Sequence, residues 1–398
     1  MVEKIGCQAF DHEWWGGTSR CQANAYVLGW VSSSEFRWRG SAGVARIVRS
    51  RESITIAVDA MGGDHAPAAL VAAVAEASLR GGVGQGVNFL LVGDEIAMTE
   101  ALFELDHNSE RIQLYHAPTV IGMGERAQVA LEARSDSSIV QACALVKAGE
   151  ADALVSAGHP GAAVLAATRH FGLVGGLGRA ALASVYPTPR VRGETDDPFS
   201  LILDVGASLR ARPEELLGFG LMGSAYARIV SRNERPRVAL LSNSRESTMG
   251  TPEVVRAHEL LSRHDAIHFY GNIEGHEIPR GLADVVVCEG FVGDVAIKIL
   301  EGVSEAAFDL ARAAYHERVA WRMGLKLLSG GLQKIKQLTD FEAYGGAPLL
   351  GLEKVVILCH PRSGRRAVGN ALRLAIKNVR AELPAAIAEA LDTGMSQG

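Results

Sequence analysis

Cysteine is scarce and poorly placed for cross-linking. The five residues Cys7, Cys21, Cys143, Cys288 and Cys359 are odd in number, far apart and without a CxxC pair. That excludes a disulfide framework or a cysteine zinc site and fits a reducing cytoplasm. No apolar run approaches the roughly 18–20 residues of a membrane span, and no signal-peptide core opens the sequence. Basic residues are scattered, the net charge is −5 and no Lys/Arg block occurs, so no nucleic acid partner is expected. A GxxxxGK(S/T) phosphate loop is absent, and no strand-to-helix turn carries GxGxxG or GxSxG. These gaps count against a nucleotide-dependent dehydrogenase and a serine hydrolase.

What is present is ordinary globular material: 398 residues, 48% hydrophobic and 21% charged, enough for a large core. Residues 1–50 stand apart, holding four of the five tryptophans without a sustained period. They read as an appended extension, disordered or packed outside; a start codon assigned too far upstream explains them equally well. From Ile54 the pattern becomes strand, glycine turn, helix. Strands are predicted at Ile54–Asp59, Val87–Gly93, Ala153–Ala157, Leu201–Val205, Val238–Leu241, Val285–Cys288 and Val355–Leu358. Helices follow at Pro67–Arg80, from Glu95, and at Ala162–His170, Pro213–Ile229, Pro252–Leu261, Val292–Leu300 and from Arg366. Continuous Val/Leu/Ile runs with helical connections predict a doubly wound, mostly parallel α/β sheet covered on both faces. Ligands in such sheets sit at strand carboxyl ends, where the glycine turns fall.

Three turns carry candidate chemistry. After the first strand, Asp59-Ala60-Met61-Gly62-Gly63-Asp64-His65-Ala66-Pro67 sets Asp59, Asp64 and His65 at the strand mouth, with His65 an acid/base or oxyanion donor; alternatively Asp64 caps the next helix. In Ser156-Ala157-Gly158-His159-Pro160-Gly161-Ala162, a serine, two glycines and a helix start make either an anion cradle or a tight connection. Leu203-Asp204-Val205-Gly206-Ala207-Ser208 is a third mouth. Beyond it, Asn272, Glu274, Glu289 and Asp294 supply polar groups, without histidines at ligand spacing, so no metal is expected.

Taken together, these blocks resemble the PlsX family of phosphate acyltransferases over about residues 54–380. The resemblance runs in order through Ile56–Pro67, Ala151–Gly158, Leu203–Ala207, Met222–Ala227, Gly271–Gly275, Gly290–Gly293 and Tyr344–Gly351. It implies a three-layer α/β/α fold of the phosphotransacetylase/isopropylmalate dehydrogenase kind, forming a homodimer without an organic cofactor. It implies a reaction of acyl-[acyl carrier protein] with inorganic phosphate to give acyl phosphate for phospholipid synthesis. His65, Asp64, Asn272 and His159 are then the catalytic candidates. Asp59, Gly62, Gly63, Ser156, Gly158, Gly161, Asp204, Glu274 and Asp294 are candidates for holding phosphate or substrate. Positioning phosphate and stabilising the oxyanion suffice for this chemistry, so a covalent enzyme nucleophile is not required.

The departures from the family pattern are specific. His159 and Pro160 replace Asn-Thr, Met249 replaces a lysine, the basic run before Asp-Ser-Ser is reduced to Arg134, and Asp294 and Ser208 stand where Asn is usual. Losing one charged contact to a buried anion costs about 2–5 kcal/mol. Three readings stay open: His159 or Arg245 compensates, the enzyme uses another carrier or acceptor, or it binds carrier protein without turnover. Residues 301–338 read as an amphipathic insertion with helices at Ala306–Ala314 and Val319–Leu328. Its segment 324–338 is suited either to packing on a dimer partner or to a peripheral membrane contact at the inner face of the cell membrane.

Overall fold

A computed structural model describes residues 53–80, 86–189, 199–331 and 345–395. The 1–50 extension and residues 332–338 of the insertion lie outside the described residues. Within them, eleven strands form one sheet in the order β3-β2-β1-β4-β11-β10-β5-β6-β9-β7-β8. The strands are β1 Ile54–Asp59, β2 Val87–Gly93, β3 Ile112–His116, β4 Ala153–Ser156, β5 Ala181–Pro187, β6 Phe199–Leu203, β7 Arg237–Leu241, β8 His268–Ile273, β9 Val285–Val287, β10 Ala347–Leu350 and β11 Val355–Leu358.

Each face is covered by helices because successive strand residues point to opposite sides. Ile56 and Val58 of β1 enter one apolar cluster with α1 (Ala68–Leu79) and α10 (Arg365–Arg380), while Ala57 enters another with α4 (Ser138–Lys147) and α5 (Pro160–Phe171). Likewise Leu201 and Leu203 of β6 pack with α6 (Pro213–Val230), α7 (Pro252–Ser262) and α11 (Leu383–Met395), and Ile202 turns to the other side. Helix starts are marked locally. Asp94 Oδ1 accepts from the Ala97 amide at α2 (Glu95–Phe103), and Thr251 accepts from Val254 at α7, with Pro252 in the first turn. The short α3 (Ala127–Ala133) has no side-chain cap. A GxGxxG string does exist, Gly218–Gly223, but it lies in the middle of α6. There a Cβ at Gly220 or Gly223 would press on Leu261 or Val285, so these glycines serve packing.

The sheet is not one parallel row. Strands β3, β2, β1, β4 and β11 are mutually parallel, and so are β6, β9, β7 and β8. Between the sets come three antiparallel pairings, β11–β10, β10–β5 and β5–β6. Three reversals make the two sets run in opposite directions. The single crevice expected at all carboxyl ends is therefore two mouths. They are kept close by stagger, since the pairings Ala347–Leu358, Leu349–Leu182 and Ala183–Leu203 bring the last residues of β11 and β6 to about the same level.

The insertion also differs from expectation. Val292–Leu300 and Ala306–Ala314 belong to one helix, α8, Gly290–Glu317, followed by α9, Val319–Leu327. The single Gly302 between them costs about 1 kcal/mol relative to Ala, too little to end a helix. The start of α8 is fixed by a glycine-only approach. A Cβ on Gly293 would overlap the Asp204 carbonyl oxygen, and one on Gly290 would overlap backbone of Ser208. We expect Gly293→Ala to destabilise the protein by more than about 2 kcal/mol, because the obstructing atom is backbone. Thermal denaturation checks this, and an unchanged midpoint contradicts the packing described.

Candidate active site

The first mouth is built on a buried staple. The Gly158 amide donates to Ser156 Oγ (3.0 Å), which donates to Asp59 Oδ2 (2.7 Å), tying β1 to β4. Asp59 and Ser156 are both buried, and Gly62 is packed against Gly158 above them. Asp59 Oδ1 has no hydrogen-bond partner. Burial raises the Asp59 pKa; the Ser138 and Ser156 hydroxyls and the Met61 amide oppose the rise. Asp59 and Ser156 thus lie beneath the mouth. Asp64 and His65 are exposed at its rim. Asp64 does not cap α1, whose N-cap is Pro67 without a side-chain bond; its own amide donates to the Pro361 carbonyl (2.9 Å).

His159 is engaged at both ring nitrogens. Nδ1 accepts from the Ala162 amide (3.3 Å) as N-cap of α5, which leaves the proton on Nε2, donated to the Glu125 carbonyl (2.9 Å). No free N–H remains for an oxyanion. The ring also covers Gly161, whose added Cβ would lie 3.3 Å from His159 Cε1. Arg134 is likewise committed, to Glu125 Oε1 and the Val120 carbonyl at 2.7 Å each.

At the second mouth Asp204 is saturated. Oδ1 accepts from Leu182 (2.9 Å) and Ala207 (3.0 Å), and Oδ2 from Ser208 (2.7 Å). It organises the turn and leaves little capacity for a ligand. Asn272 is buried, with Oδ1 at 2.8 Å from His258 Nδ1 and Nδ2 donating to the Glu246 carbonyl (3.1 Å). Glu274 starts a 3-10 turn and lies 3.3 Å from His276. Arg245 is paired with fully buried Glu277. Burial pushes the Glu277 carboxyl up, but Arg245 and the Glu274 amide outweigh it and leave the pKa lowered. Arg245 thus offsets a buried acid.

The start of α8 is open. Its N-cap Glu289 makes no side-chain cap, and Gly290 alone is served, by Ser208 Oγ (3.1 Å). The amides of Phe291 and Val292 are first-turn donors of the kind a helix leaves unsatisfied. Gly206, at φ +118°, faces Asp294 across this turn.

One histidine beside the first mouth was not singled out from sequence. His360 follows β11, with Nδ1 accepting from the Arg362 amide (3.2 Å), which leaves the proton on Nε2. Its pKa is lowered by burial and by Arg362 and Lys298; Asp64 and Asp294 act the other way. His360 therefore feels Asp64 of the first mouth and Asp294 and Lys298 of α8 together, and those two are themselves paired at 2.6 Å. A histidine two residues beyond a fully apolar strand end, followed by Arg362, was the available signal. The buried thiols offer no alternative nucleophile. Burial, then the Asp59 charge, raises the pKa of Cys143; burial, then Asp204 and Glu289, raises that of Cys288; burial pushes Cys359 up to about 12. Among the described residues, no three His, Cys, Asp or Glu side chains group as a metal site.

Known proteins match this arrangement over most of its length. Residues 54–386 fit the model of a family described as fatty acid synthesis protein. A phosphate acyltransferase of Moorella thermoacetica is 40% identical over 335 residues, 84% of this chain and 95% of its own. The chain belongs to this family. It is an enzyme of the acyltransferase class. A phosphate acyltransferase of Dictyoglomus turgidum is 37% identical, covering 86% of this chain and 99% of its own. A phosphotransacetylase from Streptococcus pyogenes shares the fold, with a TM-score of 0.54 at 15% identity over 83% of this chain and 95% of that one.

The staple yields a stability test. Asp59 binds its proton more tightly folded than unfolded, so its contribution is fully present at low pH. It is lost as pH rises from the ordinary carboxylate range through the raised folded value. Asp59→Asn should be at least as stable as the parent at neutral pH and should lack that decline. Denaturant unfolding across pH checks this; a variant destabilised only above the ordinary carboxylate range contradicts it.

Proposed function

We propose that the enzyme transfers the acyl group of an acyl-[acyl carrier protein] to inorganic phosphate, releasing acyl phosphate and free carrier for phospholipid synthesis. The observation that carries this reading is His360, with an Nε2 proton, in a turn tied to Asp64 and within electrostatic reach of Asp294 and Lys298 on α8, whose first turn is open. A phosphate oxygen attacks the thioester carbonyl and forms the new C–O bond. The oxyanion is held by His360 Nε2–H and the first-turn amides of α8. The C–S bond then breaks and the carrier thiolate leaves, taking a proton from solvent. Arg362 favours phosphate by charge, and positioning with oxyanion stabilisation supplies most of the rate. Asp64 and His65 form the rim against which the carrier's thioester arm would lie. The 51–398 portion is read as the catalytic domain, acting in the cytoplasm as a homodimer.

Peripheral membrane contact belongs to the same proposal. No helix among the described residues is long and apolar enough to cross a membrane. Yet α9 buries none of its residues and exposes Val319, Met323 and Leu327 along one stripe, a face suited to an interfacial surface.

A second reading has one observation in its favour. With Arg245 held by Glu277 and Met249 half-exposed, the 242–250 loop offers no uncommitted cation, which favours an acceptor other than phosphate. Purified protein with long-chain acyl carrier and phosphate distinguishes the two: acyl phosphate supports the first, and carrier release only with another acceptor supports the second. Carrier binding without turnover removes both.

In that assay His360→Ala should lower kcat/KM by about 10²-fold, the scale of one lost oxyanion donor, and more than His65→Ala does. Because the His360 pKa is lowered, the acid limb of the parent should fall below the ordinary histidine value of about 6.5. Lys298→Ala should move that limb upward. Unchanged kinetics in His360→Ala would refute the assignment.

A further inference from the structure

Beside the start of α8 lies a cavity of about 720 Å³, within the roughly 300–1,000 Å³ typical of small-molecule sites. It runs from the ends of β7 and β9 along α8, and its walls include Leu216, Leu241, Val254, Val292, Val295 and Ile299. Among its lining residues the carboxylates are Glu253 and Glu289, with no lysine, arginine or histidine. Away from the first-turn amides of α8, such walls repel an anion and favour uncharged hydrocarbon. Phe291, Val295 and Ile299 are 58%, 41% and 58% exposed, an open apolar strip on a helix anchored near its start by buried Gly290, Gly293 and Ile297, which marks a binding surface.

The position of the cavity relative to the reaction centre selects its occupant. Helical spacing sets Val292, Val295 and Ile299 on the cavity face of α8, and Asp294 and Lys298 on the adjacent face within electrostatic reach of His360. A thioester carbonyl at the first-turn amides of α8 would thus have hydrocarbon walls directly alongside. Resting on the acyltransferase reading, we infer that this cavity holds the fatty acyl chain of the donor and sets the enzyme's chain-length preference. Ala296, half-buried in the lining, lies between Val295 and Ile299 along the helix, so a large side chain there fills the space.

The test compares butyryl and hexadecanoyl donors on the same enzyme. The parent should favour the longer chain by up to about fourfold in kcat/KM per methylene buried. Ala296→Trp should cut the hexadecanoyl-to-butyryl ratio at least tenfold, and Val295→Trp, at an exposed position that does not threaten folding, should do the same. An unaltered ratio in a folded variant overturns the inference. So does a variant whose only change is from dimer to monomer, because the cavity is then the seat of a second copy. Binding of an uncharged pyrene-decanoyl thioester of N-acetylcysteamine, read by fluorescence, separates this inference from the catalytic reading. If no donor reacts with phosphate but the probe binds saturably and Ala296→Trp weakens it at least tenfold, the cavity assignment stands and the reaction does not. Absence of saturable binding to the parent overturns the cavity assignment.

Discussion

The contact between Asp204 and the first turn of α8 is the constraint on which the site depends. Three amides converge on one carboxylate, one from β5 and two from the following turn. That fixes the end of β6 against the strand where the sheet reverses. Two glycines then let α8 begin directly on this turn. A carboxylate already accepting three bonds is a poor ligand group, but it is a firm anchor. In the proposed reaction its value is the placement of an open helix start, with Asp294 and Lys298 one and two turns on.

The opposing mouth is built on the same plan from different parts. Asp59, Ser156 and Gly158 form a buried staple, and the surface above it is left to Asp64, His65 and the His360–Ser363 turn. That turn is held by the Asp64 amide on Pro361 and the Ser363 amide on His360. Asp204 holds backbone directly and Asp59 does so through Ser156, and in the proposed reaction the chemistry falls to exposed groups one layer out. Acyl transfer to a nucleophile as competent as phosphate asks for little more than such placement.

Much of this was legible in the sequence, and the exceptions have physical causes. The strands β1, β2, β4, β6, β7, β9 and β11 are short apolar runs followed by turn residues, and each is found within two residues of its predicted bounds. The reversal was not legible, because it rests on β5 and β10. β10 is four residues long and contains Pro348, which reads as loop although it pairs with Ile357. Composition of a turn also says little about which polar groups are spent. His159 and Asn272 stood in promising motifs, yet both are consumed by the fold, by an α5 cap and by a bridge to His258. His360 stood in no glycine-rich motif and enters the proposed reaction only because the fold brings it within electrostatic reach of both Asp64 and Asp294.

The most direct measurement is a crystal structure with inorganic phosphate bound. The account requires the ion beside Arg362, with His360 Nε2 and the Phe291 and Val292 amides left open for the carbonyl oxygen and Asp204 unmoved beneath. An ion seated instead at the start of α5, with His159 displaced from its cap, would contradict it.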